Sequence, residues 1–388
     1  MSEILLIVGL AVWGYAYVGY PLLLLTAERV RRRRSGCYSL PDAPRLSITI
    51  PVFNGAPTIG AALDALLACD YPVERRQIVV VSDGSTDATD EIVRGYAAQG
   101  VALVRIPVRG GKTAAEAVAA PHLRGEIVVN TDASVRLDRR ALRALVAALA
   151  DPSVGVASGR DVSVAPDARL APGESAYVGY EMWVRNLETR AGGIVGSSGS
   201  LYAIRTPLHR RALAPNLSRD FASALIARES GYRAVSVPDA ICYVPRSGSL
   251  RREYRRKVRT MARGLATLAA FRYLLDPRRR PWFAWRLFSH KLCRWLTPFA
   301  AVAIVVGLFF SAITSLWAAV GLAGAVAVAL LGTIGWARAD DGPLPRILSA
   351  PAYLLCTTLA GLAAWYQALN GGARATWEPT RRTAHSLR

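Results

Sequence analysis

The stretch 46–54, LSITIPVFN, and its successor 77–87, QIVVVSDGSTD, decide the fold of this 388-residue chain. Residues 46–52 and 77–82 are short β-branched runs bounded by turn residues, as in strands that are buried on both faces. Two more such strands are predicted at 101–107 and 126–130, and two helices at 56–67 and 88–99. This alternation of strands and helices predicts an α/β domain built on a mostly parallel sheet with flanking helices.

Polar residues follow each of the four predicted strands. They are Asn54, the run Asp83 to Asp87, the turn Arg109-Gly110-Gly111-Lys112, and Asp132. Ligands bind at the carboxyl ends of strands in such sheets. An Asp at this edge can accept hydrogen bonds from a base or ribose, and a Lys can meet a phosphate. A further Asp can hold a divalent metal between two phosphates.

Each of these residues also fits a purely structural role. Asp83-Gly84 fits a turn, and Ser85, Thr86 and Asp87 fit a helix N-cap. The whole set on one sheet edge is what favours a ligand site.

Apolar and basic residues are segregated along the chain. The net charge is +20 and 52% of residues are hydrophobic, with a mean hydropathy of +0.24. Arg runs flank the apolar blocks, which is typical of the cytoplasmic face of a membrane protein. No aromatic-rich RNA-binding surface accompanies the basic residues, so nucleic acid is not an expected partner.

Apolar runs predict four membrane-spanning helices. The first covers residues 4–27, two lie between Arg294 and Arg338 with a turn near 311–315, and the last covers 347–369. The Arg-rich run 29–34 places the N-terminus outside and the following domain in the cytoplasm. Counting spans then places the C-terminal tail outside, whereas its own arginines favour the inside. The alternative to four full spans is that one of these segments is interfacial or re-entrant.

Several of these motifs together resemble those of family 2 glycosyltransferases, in order and spacing. The matching stretches are 46–54, 79–87, 111–112 and 131–134, and the likeness extends from Leu46 to about Gly264. The membrane plan resembles the branch that includes cellulose, chitin, hyaluronan and poly-N-acetylglucosamine synthases. The resemblance implies a GT-A fold, a hexosyltransferase-type activity and a nucleotide-diphosphate sugar donor, with UDP as the expected nucleotide. It also implies Mg²⁺ or Mn²⁺ as cofactor.

The resemblance assigns roles to individual residues. Asp220 corresponds to the general base and Asp132 to the metal ligand. The acceptor site corresponds to Ser198, Gly199 and Ser200. The nucleotide and its diphosphate are assigned to Pro51, Asn54, Asp83, Ser85, Lys112, Arg256 and Arg259.

The chain departs from the family pattern at five positions. Gly55 stands where an acidic residue is often found, Ser134 replaces the second Asp of Asp-x-Asp, and Arg219 replaces the Glu before Asp220. Arg256 and Thr260 stand where Gln and Trp are expected in Gln-x-x-Arg-Trp. The same stretch, 249–265, also has the pattern of a basic amphipathic helix lying on anionic lipid.

The sequence therefore predicts an N-terminal transmembrane helix (1–28), a cytoplasmic GT-A catalytic domain (45–247), basic amphipathic interfacial helices (248–290), about three C-terminal transmembrane helices (291–369) and a basic tail (370–388). The expected location is the cell (inner) membrane, with membrane lipids as partners.

The expected function is inverting sugar transfer to a growing polysaccharide or other glycan, as in exopolysaccharide biosynthesis. Alternatives are non-processive transfer to a lipid-linked acceptor, or an inactive membrane scaffold. The oligomeric state is left open.

Overall fold

A computed structural model describes residues 1–31, 43–164, 172–245, 249–339, 342, 344–372 and 376. Within these ranges eight strands form one sheet. In chain order they are β1 Leu46–Val52, β2 Arg76–Asp83, β3 Val101–Ile106, β4 Ile127–Thr131, β5 Arg136–Leu137, β6 Val154–Val164, β7 Leu201–Arg205 and β8 Arg233–Pro245.

Fourteen α-helices lie in the same described ranges. They are α1 Ser2–Gly14, α2 Tyr20–Arg31, α3 Ile59–Leu67, α4 Thr89–Arg94, α5 Lys112–Ala119, α6 Ala141–Leu149, α7 Pro172–Arg190, α8 Thr206–His209, α9 Arg219–Glu229, α10 Leu250–Ala270, α11 Pro281–Leu287, α12 Arg294–Ser311, α13 Leu316–Ala337 and α14 Arg346–Leu369. Two π-helical turns, Tyr15–Gly19 and Phe288–Cys293, join α1 to α2 and α11 to α12.

The sheet has the strand order β3-β2-β1-β4-β7-β6-β8-β5. β1 pairs in parallel with β2 and β4, and β2 with β3. β7 runs antiparallel to both of its neighbours, β4 and β6, whereas β6 and β8 are parallel. β5 is antiparallel to β8. The prediction of a mostly parallel sheet with flanking helices is confirmed.

The central strands are continuous apolar runs because both faces of the sheet are covered. Every residue of β1 is buried. On one face Ile48 and Val80 join a core with α3 and α6, and on the other face Val79 and Val128 pack with α5 and α9. Helices on both faces are the usual environment of parallel strands, and they leave the strand ends as the place where a ligand can enter.

Two predicted helices are shorter than expected. The helix predicted over 88–99 ends at Arg94, and a separate 3₁₀ turn covers Ala97–Gln99. Gly95, a poor helix former, follows the last helical residue. The helix predicted from residue 56 begins at Ile59. The amides of Thr58 and Ile59 both donate to the Gly55 carbonyl in a turn that precedes the helix, and the Ala56 amide donates to Asp87 Oδ2 at 3.1 Å.

Four helical segments are long and apolar enough to cross a membrane, as predicted. They are Ser2–Arg29, Pro281–Ser311, Leu316–Ala337 and Arg346–Leu369. The second begins at Pro281, within the stretch predicted to be interfacial. The arginines at 32–34 and those of the tail, Arg374, Arg381, Arg382 and Arg388, lie outside the described residues. The orientation in the membrane and the domain boundaries therefore stay predictions.

A buried ionic cluster joins α7 to the first two of these segments, and we call its members Tyr20, Glu181, Glu188, His290 and Arg294 the junction cluster. Glu188 is fully buried and accepts hydrogen bonds from Tyr20 and from His290 Nδ1, the latter at 2.7 Å. Glu181 contacts His290 Nε2 at 3.0 Å and pairs with Arg294. Because α7 belongs to the sheet domain, the cluster fixes the domain against the two segments.

We expect Glu188→Ala to destabilise the protein by about 3 kcal/mol, because it leaves buried partners of the carboxylate unpaired. The measurement is thermal unfolding of the full chain in detergent. Asp70→Ala is a matched control, since it removes a carboxylate from an exposed pair with Arg143. That change should cost no more than about 1 kcal/mol. Equal losses from both variants would show that the junction cluster does not hold the domain.

Candidate active site

A cavity of about 1000 Å³ opens at the carboxyl ends of β1 and β4. Residues of α10 and of the segment Pro281–Ser311 form its other walls. Nine of the twelve site residues predicted from the sequence line it: Asn54, Lys112, Asp132, Ser198, Gly199, Ser200, Asp220, Arg256 and Arg259. Pro51, Asp83 and Ser85 are not among the lining residues. All three are buried behind the wall.

Asn54 ties together the loops that follow β1 and β2. Its Oδ1 accepts a hydrogen bond from the Thr86 amide at 2.8 Å, and its own amide donates to Ser85 Oγ at 3.1 Å. The φ angle of Asn54 is 49°, a left-handed conformation that Asn tolerates better than most residues. At Gly55, a Cβ would lie 2.4 Å from Val52 Cγ2, so the bend leaves no space for the acidic residue common in the family.

Asp83 shapes the turn that leads to Lys112. Its two carboxylate oxygens accept hydrogen bonds from the amides of Gly110 and Gly111, at 2.7 and 2.8 Å. The side chain is fully buried. Its contact with a nucleotide base stays a prediction.

Arg109 is a cation of the cavity wall that the sequence did not single out as a site residue. Its guanidinium lies 3.8 Å from the centre of the Phe53 ring. Its Nε and Nη2 are buried without a hydrogen-bond partner. A flat cation on an aromatic ring, with donors still free, suits a phosphate or a base. In the sequence, only the position of Arg109 next to Gly110-Gly111 indicated that it belongs to the site.

Lys112 and Asp132 form an ion pair at the centre of the cavity wall. Nζ lies 2.6 Å from Asp132 Oδ1 and donates to the Gly199 carbonyl at 2.8 Å. Burial by itself lowers the pKa of Lys112, but the nearby carboxylates of Asp132, Glu116 and Asp220 raise it above its usual value. The ammonium therefore stays charged and available to a diphosphate.

Asp220 faces the same space from the start of α9. Ser218 Oγ donates to its Oδ1 at 2.5 Å. A Cβ at Gly199 would lie 3.0 Å from its Oδ2, so the carboxylate sits directly against the glycine backbone. This position leaves Asp220 exposed to a ligand between the strand ends and α10.

Arg219 is compensated by an acidic residue from another helix. Its Nε lies 3.2 Å from Glu116 Oε2, with both side chains buried, and its Nη1 donates to the His209 carbonyl. Burial raises the pKa of Glu116, although Lys112 and Arg219 oppose this. Arg219, which departs from the family pattern beside Asp220, is thus paired with Glu116. The spacing of these two residues in the sequence does not predict the pair.

The segment predicted to line an acceptor site is held by Asp161, which the sequence analysis did not identify. Ser198 Oγ donates to both carboxylate oxygens, at 2.7 and 2.9 Å, and Ser200 Oγ to Oδ2 at 3.3 Å. Asp161 itself lines the cavity, as does Arg185 from α7.

Trp295 brings an aromatic ring to the cavity wall beside Thr260, which stands in place of the family Trp. A Cβ at Gly264, one turn after Thr260, would lie 2.8 Å from the Trp295 ring, and Phe221 packs edge-on against it at 5.9 Å. In the sequence this Trp is indistinguishable from the interfacial aromatics of a membrane span.

The three cavity arginines of α10 differ in their partners. Arg256 is paired with Glu253 on its own helix, with two contacts of 2.7 Å. Arg263 donates to Thr113 Oγ1 at 2.8 Å and so joins α10 to α5. Arg259 lies between them on the cavity side of the helix.

The residues at Asp132 fit a metal ion that takes most of its ligands from a diphosphate. No group of three or more His, Cys, Asp or Glu side chains that could hold a metal occurs in the described part of the chain. Lys112 contacts Asp132 through Oδ1, and both Asp132 and Ser134 line the cavity. One carboxylate with substrate phosphates is a common arrangement for Mg²⁺.

The mostly parallel sheet with its flanking helices is the arrangement predicted for a GT-A domain, and Lys112, Asp132 and Asp220 lie at its edge in one cavity. Residues 47–208 match Glycosyl transferase family 2. The match falls on the stretch for which the motifs predicted a family 2 glycosyltransferase domain, and it agrees with the expected enzyme class, a hexosyltransferase-type glycosyltransferase.

Known relatives and structures agree with this assignment. The chain is 28% identical over 255 residues to an N-acetylglucosaminyltransferase of Rhizobium sp. (strain N33), which covers 60% of this chain and 55% of that protein. It is 30% identical over 129 residues to a dodecaprenyl-phosphate galacturonate synthase of Rhizobium johnstonii, covering 32% and 37%. The chain spans about half the length of the N-acetylglucosaminyltransferases it matches.

A solved structure is similar over nearly the whole chain. It is the mannosyltransferase PcManGT from Pyrobaculum calidifontis, in complex with GDP-Man and Mn²⁺. The TM-score is 0.73 at 26% identity, covering 94% of this chain and 99% of that one. Since the match extends beyond the sheet domain, it includes the helical part.

His209 gives the site a pH-dependent stability. It is buried beneath the site, 3.3 Å from Asn130 Oδ1 through Nε2. Burial, with the nearby cations Arg219 and Arg210, lowers the pKa of His209 from 6.5 to about 3. The unfolded chain therefore binds a proton below pH 6.5 that the folded chain does not, so stability falls as pH drops from 6.5 towards 3.

We expect this histidine to contribute up to about 1.4 kcal/mol of destabilisation per pH unit in that range. The measurement compares thermal unfolding of the wild type and His209→Gln between about pH 6 and about pH 4. The variant should lose less stability over this interval, and an identical pH dependence would show that His209 is not buried in the neutral form.

Proposed function

We propose that the chain is an active inverting glycosyltransferase that moves a sugar from a nucleotide-diphosphate sugar to an acceptor at the membrane. The observation that carries the proposal is that Asp220 and the Lys112–Asp132 pair face one cavity at the strand ends. A base, a phosphate-binding cation and a metal-binding carboxylate within one cavity are the groups that this reaction needs.

In the proposed reaction, Asp220 takes the proton from the acceptor hydroxyl as its oxygen forms a bond to the anomeric carbon. The bond from that carbon to the diphosphate oxygen breaks on the opposite side, and the nucleoside diphosphate leaves. Arg259, Arg109 and Lys112 offset its negative charge. A bound Mg²⁺ or Mn²⁺ at Asp132 supplies further positive charge to the diphosphate.

UDP is the nucleotide we propose first, following the family resemblance. GDP is the second candidate, because the structurally similar PcManGT binds GDP-Man. Two acceptors are compatible with a cavity that reaches a membrane helix. One is a growing glycan at the cell membrane, as in exopolysaccharide biosynthesis, and the other is a lipid-linked acceptor. Product length after incubation separates processive from single transfer.

We expect Asp220→Asn to abolish sugar transfer while leaving donor binding intact, because it removes the base and keeps the shape. Transfer of radiolabelled sugar from UDP- and GDP-sugars into a membrane extract is the measurement. Asp239→Asn, an exposed carboxylate outside the cavity, is the control and should keep wild-type turnover. Near-normal turnover of Asp220→Asn would show that another group is the base. A wild type inactive with every donor would favour the scaffold alternative.

We expect Asp132→Ala to remove the dependence of nucleotide binding on Mn²⁺, because it deletes the carboxylate proposed to hold the metal. Binding of UDP and GDP is measured by calorimetry with and without Mn²⁺. Metal-free binding should be retained, since Lys112 loses its counter-charge and stays available to the diphosphate. An unchanged effect of Mn²⁺ in this variant would place the metal elsewhere.

A further inference from the structure

Lys291 reaches the cavity from a membrane-spanning segment. It lies in the π-helical turn Phe288–Cys293, within the segment Pro281–Ser311, and lines the same cavity as Asp220. π-helical turns inside α-helices are frequent at functional sites. Arg109 and Lys112, in contrast, reach the cavity from the strand ends of the sheet.

Lys291 has no counter-charge within the described residues. Lys112 lies 2.6 Å from Asp132, and Lys257 lies 3.5 Å from Glu253. Lys291 Nζ has no hydrogen bond or ion pair in these ranges and lies 5.3 Å from the centre of the Phe221 ring. A Cβ at Gly196 would be 3.3 Å from it. The ammonium is therefore poised over the segment that precedes Ser198.

The acidic residues nearest to this turn are already engaged. Glu181 and Glu188 are bonded within the junction cluster by His290, Arg294 and Tyr20. Arg185 also pairs with Glu181, at 3.1 Å, and lines the cavity beside Ser197. This wall of the cavity thus presents two cations, of which the ammonium has no carboxylate of its own.

We propose that Lys291, supported by Arg185, binds the phosphate group of a lipid-linked acceptor. A partly buried ammonium without a counter-charge costs free energy. A phosphate is an anion that lysine binds well as a point charge. Because the lysine is on a membrane-spanning helix, a phosphate carried by a lipid tail can reach it from the bilayer. A growing neutral glycan offers no such group.

This inference rests on the proposed function and selects among its acceptors. It concerns binding only, so no bond is made or broken in it. The donor's own diphosphate is the competing occupant, and the test separates the two.

The experiment uses the full chain in detergent and calorimetric titration with farnesyl phosphate, farnesol and inorganic phosphate. We expect farnesyl phosphate to bind at least about tenfold more tightly than either of the other two. Lys291→Met should weaken farnesyl phosphate by about tenfold or more, whereas Lys291→Arg, which keeps the charge, should restore binding. Lys257→Met is the matched control and should have no effect.

The same variants are titrated with UDP and GDP in the presence of Mn²⁺, and Lys291→Met should leave nucleotide binding unchanged. The proposal is overturned if the wild type does not prefer farnesyl phosphate to farnesol, or if Lys291→Met binds it normally. It is equally overturned if inorganic phosphate binds as tightly, which indicates a free-anion site, or if nucleotide binding falls in parallel. Failure of both nucleotides to bind the wild type would instead count against the proposed function.

Discussion

The contact between Lys112 and Asp132 is the interaction on which the cavity depends. It joins the start of α5 to the end of β4, and the same ammonium donates to the Gly199 carbonyl. Gly199 is also the residue at which an added Cβ would lie 3.0 Å from Asp220 Oδ2. Three segments that are distant in sequence are thereby drawn around one positive charge. In the function we propose, this charge binds the diphosphate of the donor, and Asp132 binds the metal.

The second constraint is the buried junction cluster between the sheet domain and the first two of the long apolar helical segments. Glu181 and Glu188 of α7 bind His290 and Arg294, and this contact places the π-helical turn at the cavity. Lys291 and Trp295 enter the wall as a consequence. The long apolar helical segments thus contribute side chains to the cavity as well as supporting the sheet domain.

The strands and the polar residues at their ends were predictable because both are local. The four predicted strands and the positions of Lys112 and Asp132 follow from short apolar runs and the turns behind them. Arg185, Lys291 and Trp295 were not predictable, since each enters the cavity from a distant helix whose sequence also fits a membrane or surface role. The Glu116–Arg219 pair is of the same kind, because it joins residues more than a hundred positions apart. One predicted helix ended early at Gly95, a local effect of glycine, whereas at the start of the other the Ala56 amide donates to Asp87, a residue that is distant in the sequence.

The central claim is that the cavity binds a nucleoside diphosphate together with a metal. Calorimetric titration of the purified wild-type chain with UDP and with GDP, each with and without Mn²⁺, tests it most directly. We predict that one of the two nucleotides binds and that Mn²⁺ tightens its binding. If neither nucleotide binds in the presence of Mn²⁺, the cavity at Lys112 and Asp132 is not a donor site, and the account is contradicted.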